Sequence, residues 1–197
     1  MNSSHKGLRL SFNAPVTLTF SALCAAACLI IRFAGDGAVR AVFSVYSAPL
    51  GDPMTYVRLV THVLGHAGWD HLLGNLMFIL LLGPMIEEKY GTKNTILVIL
   101  ATAVITGVVN MVFFPRVALL GASGVVFAFI LISSVTVRED RTIPVTFILV
   151  AVLYLGREIY DGIFVKDNVS QMAHIIGGAV GSALGFLLGA KKKKDHF

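Results

Sequence analysis

Six stretches of this chain are predominantly apolar over lengths that suit a membrane span, and no other feature constrains the fold as strongly. They cover residues 16–33, 71–86, 95–114, 123–137, 143–160 and 172–190. Backbone N–H and C=O groups in hydrocarbon must be satisfied inside their own segment, so runs of this kind predict helices. Charged residues make up 14% of the 197, and the mean hydropathy is +0.80. Soluble domains sit nearer a quarter charged, roughly. The expected fold class is therefore an all-α polytopic membrane protein with six transmembrane helices in one bundle.

The expected organisation is an N-terminal cytoplasmic segment over 1–15, a membrane domain over 16–190 and a basic tail over 191–197. Lys6 and Arg9 ahead of an apolar run containing Ala25-Ala26-Ala27 imitate a signal peptide. That run continues to Phe33, long enough to span, so it reads as a retained first helix. The long apolar and aromatic connection within 34–70, with Phe43, Tyr46 and Tyr56, is expected to lie partly embedded along the outer surface. Cys24 and Cys28, four apart in the first run, read as small hydrophobes on one helix face rather than a disulfide framework.

Lysine and arginine set the orientation. With the N-terminus inside, inner segments carry Lys6, Arg9, Lys89, Lys93, Arg138, Arg141, Lys191, Lys192, Lys193 and Lys194, which is ten. Outer segments carry Arg32, Arg40, Arg58, Arg116, Arg157 and Lys166, which is six. Both termini are thus expected on the cytoplasmic side, and the lysine run reads as an anchor at anionic lipid, with no nucleic-acid partner.

This parity has a chemical consequence. The second, fourth and sixth spans all begin at the outer side, so His71 and Asn75, Ser123, and His174 share one leaflet. A rise of about 1.5 Å per residue in a core of about 30 Å puts Ser123 roughly 8 Å and His174 roughly 4 Å below the outer boundary. Polar groups at that depth must be paired or hydrated, which implies a water-filled cavity.

Ser123 sits in Gly121-Ala122-Ser123-Gly124, where the glycines allow close backbone approach. It is either a nucleophile waiting for a base or a serine capping a helix start. His174 is the candidate base. It is followed by Gly177, Gly181, Gly185 and Gly189, a small-residue stripe that lets two membrane helices approach, with Gly124 and Ala128 as the matching surface. No acidic residue is placed to orient His174, which points to a Ser–His dyad. His71 and Asn75, one helical turn apart, are donors suited to an oxyanion, with the Ser123 amide as a third. His62 and His66 read as residues that pin the preceding loop. A zinc His-Glu-x-x-His pattern is absent, and only Asp161 comes near a span, so neither metal nor aspartyl chemistry is expected. A transporter would spread its polar residues over broken helices near the midplane.

Taken in order, His66-x4-His71-x3-Asn75, Glu87-x3-Gly91, Gly121-Ala122-Ser123-Gly124 and Ala173-His174-x2-Gly177-x3-Gly181 resemble the rhomboid family of intramembrane serine proteases, in its compact six-helix bacterial form. The resemblance runs over about 58–194. It implies Ser123 as nucleophile, His174 as general base, and His71, Asn75 and the Ser123 amide at the oxyanion. It further implies supporting roles for His66, Arg58, Glu87, Phe127, Gly121, Gly124, Gly177 and Gly181. Transmembrane proteins would be the substrates, cleaved near the outer face in the bilayer of a bacterial inner membrane, with no cofactor, metal or nucleotide. Two positions depart from the family pattern: Phe127 stands where tyrosine is frequent, and Val57-Arg58 stands where Trp-Arg is usual.

Overall fold

Pro15 opens the first helix, since a residue with fixed φ and no N–H fits best at the first helical position. The computed structural model describes residues 12–136, then 145, 148–149, 152–153, 156, 175–181, 183–184 and 187. Its described helices are α1 Pro15–Ala34, α2 Asp36–Val42, α3 Pro53–Thr61, α4 Trp69–Tyr90, α5 Thr92–Phe113 and α6 Ser123–Thr136, with a 3₁₀ turn at His62–Leu64 after α3. Among the described residues the only strand-like pairing is one antiparallel bridge between Val45 and Leu119.

Three helices, α1, α4 and α5, are long and apolar enough to cross a membrane; α6 is apolar but shorter. The first four expected spans therefore correspond to α1, α4, α5 and α6, with ends shifted by a few residues. The largest shift is at the end of α4, which runs past residue 86 through two glutamates and a lysine before Gly91, at φ +82, turns the chain. The helical residues between 145 and 156 and between 175 and 187 fall inside the fifth and sixth expected spans. His174, the connection at 161–171, Lys6, Arg9 and the tail at 191–197 lie outside the described residues.

The buried faces of α1 and α5 are rich in small and polar residues. Along α5 the inward positions are Thr95, Val98, Ile99, Thr102, Ala103, Thr106, Gly107 and Asn110, one stripe at helical spacing. Leucine, isoleucine and valine occupy the outward positions, among them Ile96, Leu100, Ile105 and Val112. Lipid tails are as apolar as leucine, so helix association relies on close packing and hydrogen bonds. In α1, Cys24 and Cys28 lie on one buried face as free thiols, as expected.

One carboxylate joins three helices. Glu87, 4% exposed near the end of α4, accepts from the backbone N–H of Val16 and of Thr17, at 3.0 Å each. It also accepts from the Thr17 hydroxyl at 3.0 Å and the Thr92 hydroxyl at 3.2 Å. The first N–H groups of a helix have no intrahelical acceptor, and the residue before α1 supplies no side-chain cap. Glu87 caps α1 from 70 residues away and meets the favourable end of its dipole.

The connection between α1 and α4 is itself structured by α2 and α3. Arg58, 7% exposed, holds it together. Its Nε donates to the Ala41 carbonyl at 3.0 Å, its Nη2 meets the Asp52 carboxylate at 3.3 Å, and its guanidinium lies 4.9 Å from the Tyr46 ring centre. Asp52 also caps α3 by accepting from Met54 N–H, and the Tyr56 hydroxyl donates to the Leu50 carbonyl at 2.9 Å. With Val57-Arg58 standing where Trp-Arg is usual in the family, this connection is held by Arg58 through Ala41, Asp52 and Tyr46.

Candidate active site

Ser123 is the first residue of α6, because the Ala122 carbonyl accepts the Val126 N–H at 2.9 Å. Ala122, not Ser123, thus occupies the capping position, which removes the main structural reason for a serine here. Ser123 is half-buried, whereas residues 124–129 of the same helix are buried.

The loop before it is held on both sides. Leu119 and Val45 exchange two backbone hydrogen bonds of 2.9 Å, and the Gly121 N–H donates to the His62 carbonyl at 2.9 Å. Gly121 has φ +122, a conformation that L side chains avoid. A Cβ on it would lie 2.8 Å from His71 Cε1, 2.9 Å from His71 Nε2 and 3.8 Å from Ser123 Oγ. Glycine is therefore required both by the backbone and by the imidazole packed against it. This contact brings together a residue of α4 and one of the loop before α6, fifty positions apart in the chain.

The tautomer of His71 follows from its other nitrogen. Nδ1 accepts the Ala67 N–H at 3.5 Å, so a neutral ring carries its proton on Nε2, the atom beside Gly121. One turn on, Asn75 is 7% exposed, and its Nδ2 has no hydrogen-bond partner among the described residues. A donor left bare in a buried position costs about 1–3 kcal/mol unless something else uses it.

His66 is fully buried and meets the His71 ring edge-on, with centres 5.0 Å apart. Its Nδ1 donates to the Leu64 carbonyl at 3.0 Å, which leaves Nε2 as a bare acceptor. Burial, helped by the nearby His71, lowers its pKa to about 4. His62 is 1% exposed, donates from Nδ1 to the Arg58 carbonyl at 3.0 Å, and is likewise lowered by burial to about 4. Both rings are neutral at ordinary pH.

Of the small-residue stripe, Gly177 and Gly181 pack against Gly124 and Ala128, while Gly185 and Gly189 lie outside the described residues. A Cβ on Gly177 would lie 2.5 Å from the Gly124 carbonyl oxygen, and one on Gly181 would overlap Ala128. Gly178 lies against the Phe127 ring, so Phe127 faces the helical residues 175–181. His174 directly precedes this segment but lies outside the described residues. Arg58 lies in the connection between α1 and α4, and Glu87 near the C-terminal end of α4. Among the described residues no three His, Cys, Asp or Glu side chains are grouped to hold a metal ion. An apolar groove of about 280 Å³ between α1 and α5, lined by Val16, Phe20 and Ile99 among others, lies at the Glu87 end rather than at this site.

Asn110 was not singled out by the sequence. It is buried near the end of α5 and bonds to the carbonyls of Val45 and Val117 in the loops beside Ser123. The only signal was an amide inside an otherwise apolar run.

The rhomboid domain model matches residues 53–191. Rhomboid-related protein 2 of Mus musculus is 31% identical over 157 residues, covering 70% of this chain and 52% of that protein. YdcA of Bacillus subtilis (strain 168) is 31% identical over 148 residues, covering 71% of this chain and 70% of that protein. Rhomboid protease GlpG of Yersinia enterocolitica is 26% identical over 178 residues, covering 87% of this chain and 62% of that protein. The chain thus spans between about half and 70% of the relatives it matches. With the serine loop, the His71–Asn75 pair and the glycine stripe all inside the matched region, the chain belongs to the rhomboid family of polytopic membrane proteins.

Proposed function

We propose that this protein is an intramembrane serine endopeptidase that cleaves transmembrane segments near the outer face of the membrane. Ser123 is the nucleophile, and His174 is the base that takes its proton and returns it to the leaving amine. His71 Nε2–H, the Asn75 amide and the Ser123 N–H receive the negative charge that develops on the scissile carbonyl. The observation that carries this reading is the His71 ring. Its Nε2, protonated because Nδ1 accepts from Ala67, stands against Gly121 beside the Ser123 side chain. The unpartnered Asn75 donor supports the same role, since a preformed oxyanion site needs donors not already committed. The packing of Gly177 on Gly124 supports the dyad, because His174 lies three positions before one and Ser123 one position before the other.

In this reading six helices span the membrane within 16–190, both termini are cytoplasmic and the tail at 191–197 rests on anionic lipid. The outer connection within 34–70 lies partly in the membrane surface. The membrane is a bacterial inner membrane, and the partners are transmembrane proteins and lipid, with no cofactor, nucleotide or nucleic acid. Backbone in lipid is fully hydrogen-bonded, so a substrate helix must unwind before its carbonyl can reach Ser123.

The test is cleavage of a fluorescently labelled transmembrane substrate by protein purified in detergent. Ser123→Ala and His174→Ala should each abolish cleavage, and a chelator should have no effect. Cleavage that survives Ser123→Ala refutes the nucleophile, and cleavage lost to a chelator refutes metal-free chemistry.

A further inference from the structure

Asn110 stands in the last turn of α5 and is 2% exposed. A polar side chain there is costly unless its groups are used. Its Nδ2 is used twice, donating to the Val45 carbonyl at 3.2 Å and to the Val117 carbonyl at 2.9 Å, while its Oδ1 has no hydrogen-bond partner among the described residues. Only an NH2 group can serve two carbonyls, so the partners fix the orientation of the amide. Two other polar residues of this stripe bond back within the helix. Thr95 bonds back to the Gly91 carbonyl at 3.1 Å and Thr106 to the Thr102 carbonyl at 2.7 Å, each one turn earlier. Those contacts serve the helix itself, whereas Asn110 reaches out of it.

Both of its acceptors lie in irregular chain beside Ser123. Val45 is the residue bridged to Leu119, and its carbonyl takes both the Leu119 N–H and the Asn110 amide. Val117 lies two residues before Leu119, and Gly121, tied to the His62 carbonyl, lies two residues after it. Thr106, one turn before Asn110, sits 3.5 Å from His62 Nε2. One stripe on α5 therefore touches each of the supports that hold residues 117–121.

We propose that Asn110 is a positioning residue for the reaction, fixing the 117–121 backbone against the outer connection and so setting where Gly121 and Ser123 stand relative to His71. This rests on Ser123 being the nucleophile. Asn110 touches neither Ser123 nor His71 in the proposed arrangement and acts only through the backbone that carries Gly121. Leucine at this position fills a similar volume but supplies no donor. Glutamine keeps both N–H groups on a longer arm.

The test compares full-length wild type, Asn110→Leu, Asn110→Gln and Leu119→Pro in detergent. The readouts are Tm, kcat and KM on a labelled transmembrane substrate, and the rate at which a fluorophosphonate labels Ser123. Asn110→Leu should lower kcat and the labelling rate together, by roughly 10- to 100-fold, with KM changed by less than about twofold and Tm by a few degrees. Asn110→Gln should recover most of the labelling rate. Leu119→Pro removes the bridge N–H without touching Asn110, should reproduce the Leu pattern, and decides the matter if Asn110→Leu fails to fold. Normal labelling in Asn110→Leu, a loss that glutamine does not recover, or a loss confined to KM overturns the proposal. Failure of the functional reading looks different: wild type itself resists labelling, or Ser123→Ala still cleaves.

Discussion

The two ends of α4 treat their buried polar atoms in opposite ways. At one end, Glu87 accepts four hydrogen bonds from α1 and Thr92, and nothing more could be asked of its carboxylate. At the other, Asn75 keeps a buried donor without a partner, and the neighbouring His66 keeps a bare acceptor. Burial without partners costs free energy, and a folded chain tolerates it where the group has another use. The first end is a joint. The second keeps unspent capacity that the proposed oxyanion role of Asn75 would use.

The largest expected effect would break this comparison most directly. Asn75→Ala should lower kcat by about 100- to 1000-fold, the usual cost of an oxyanion donor, while Tm stays put or rises slightly. A falling Tm with unchanged kcat would make Asn75 structural and erase the contrast. Gly121→Ala comes next, at about 100-fold in kcat, because a Cβ there displaces the His71 ring and strains the backbone. Cleavage assays on this variant at unchanged substrate affinity would check it.

Glu87→Gln should do the reverse at the joint. Losing charge-assisted bonds costs about 2 kcal/mol, or roughly 5 °C in Tm for a chain of this size, with kcat per folded molecule unchanged. The smallest effect is acid sensitivity at the serine end. His62 and His66 are lowered by burial from 6.5 to about 4. Between those values the unfolded chain binds more protons, so their contribution is complete above pH 6.5 and is lost as pH falls toward 4. From pH 6.5 to 5.5 the loss should be about 1 kcal/mol per histidine. Thermal unfolding of wild type and His62→Gln across that range would measure it, and the variant should show the shallower slope.

Much of the fold was legible because the rule that makes it is local. Unsatisfied backbone in lipid forces helices, so α1, α5 and α6 begin or end within a few residues of their apolar runs. The end of α4 was hidden because charge was taken as a boundary, and the partners that neutralise Glu87 are far away in sequence. The serine loop was legible as a motif, and its glycine had a reason that spacing could not supply: the ring of His71 occupies the space a Cβ would need. Arg58 was visible but its acceptors were not, since an arginine names no particular carbonyl. Asn110 was hidden for the same reason. A single amide in α5 says that something is bonded, and only the fold says that it is Val45 and Val117.

Glu87 also bears on the order in which the protein can be made. α1 is synthesised before residue 87, so until α4 follows, its opening N–H groups lack the carboxylate that accepts from them in the folded chain. It cannot dock in its final place until the last turn of α4 has followed it into the membrane. Insertion and assembly are therefore separate stages for this chain, and translation arrested ahead of residue 87 would leave α1 spanning the lipid but unattached to the bundle.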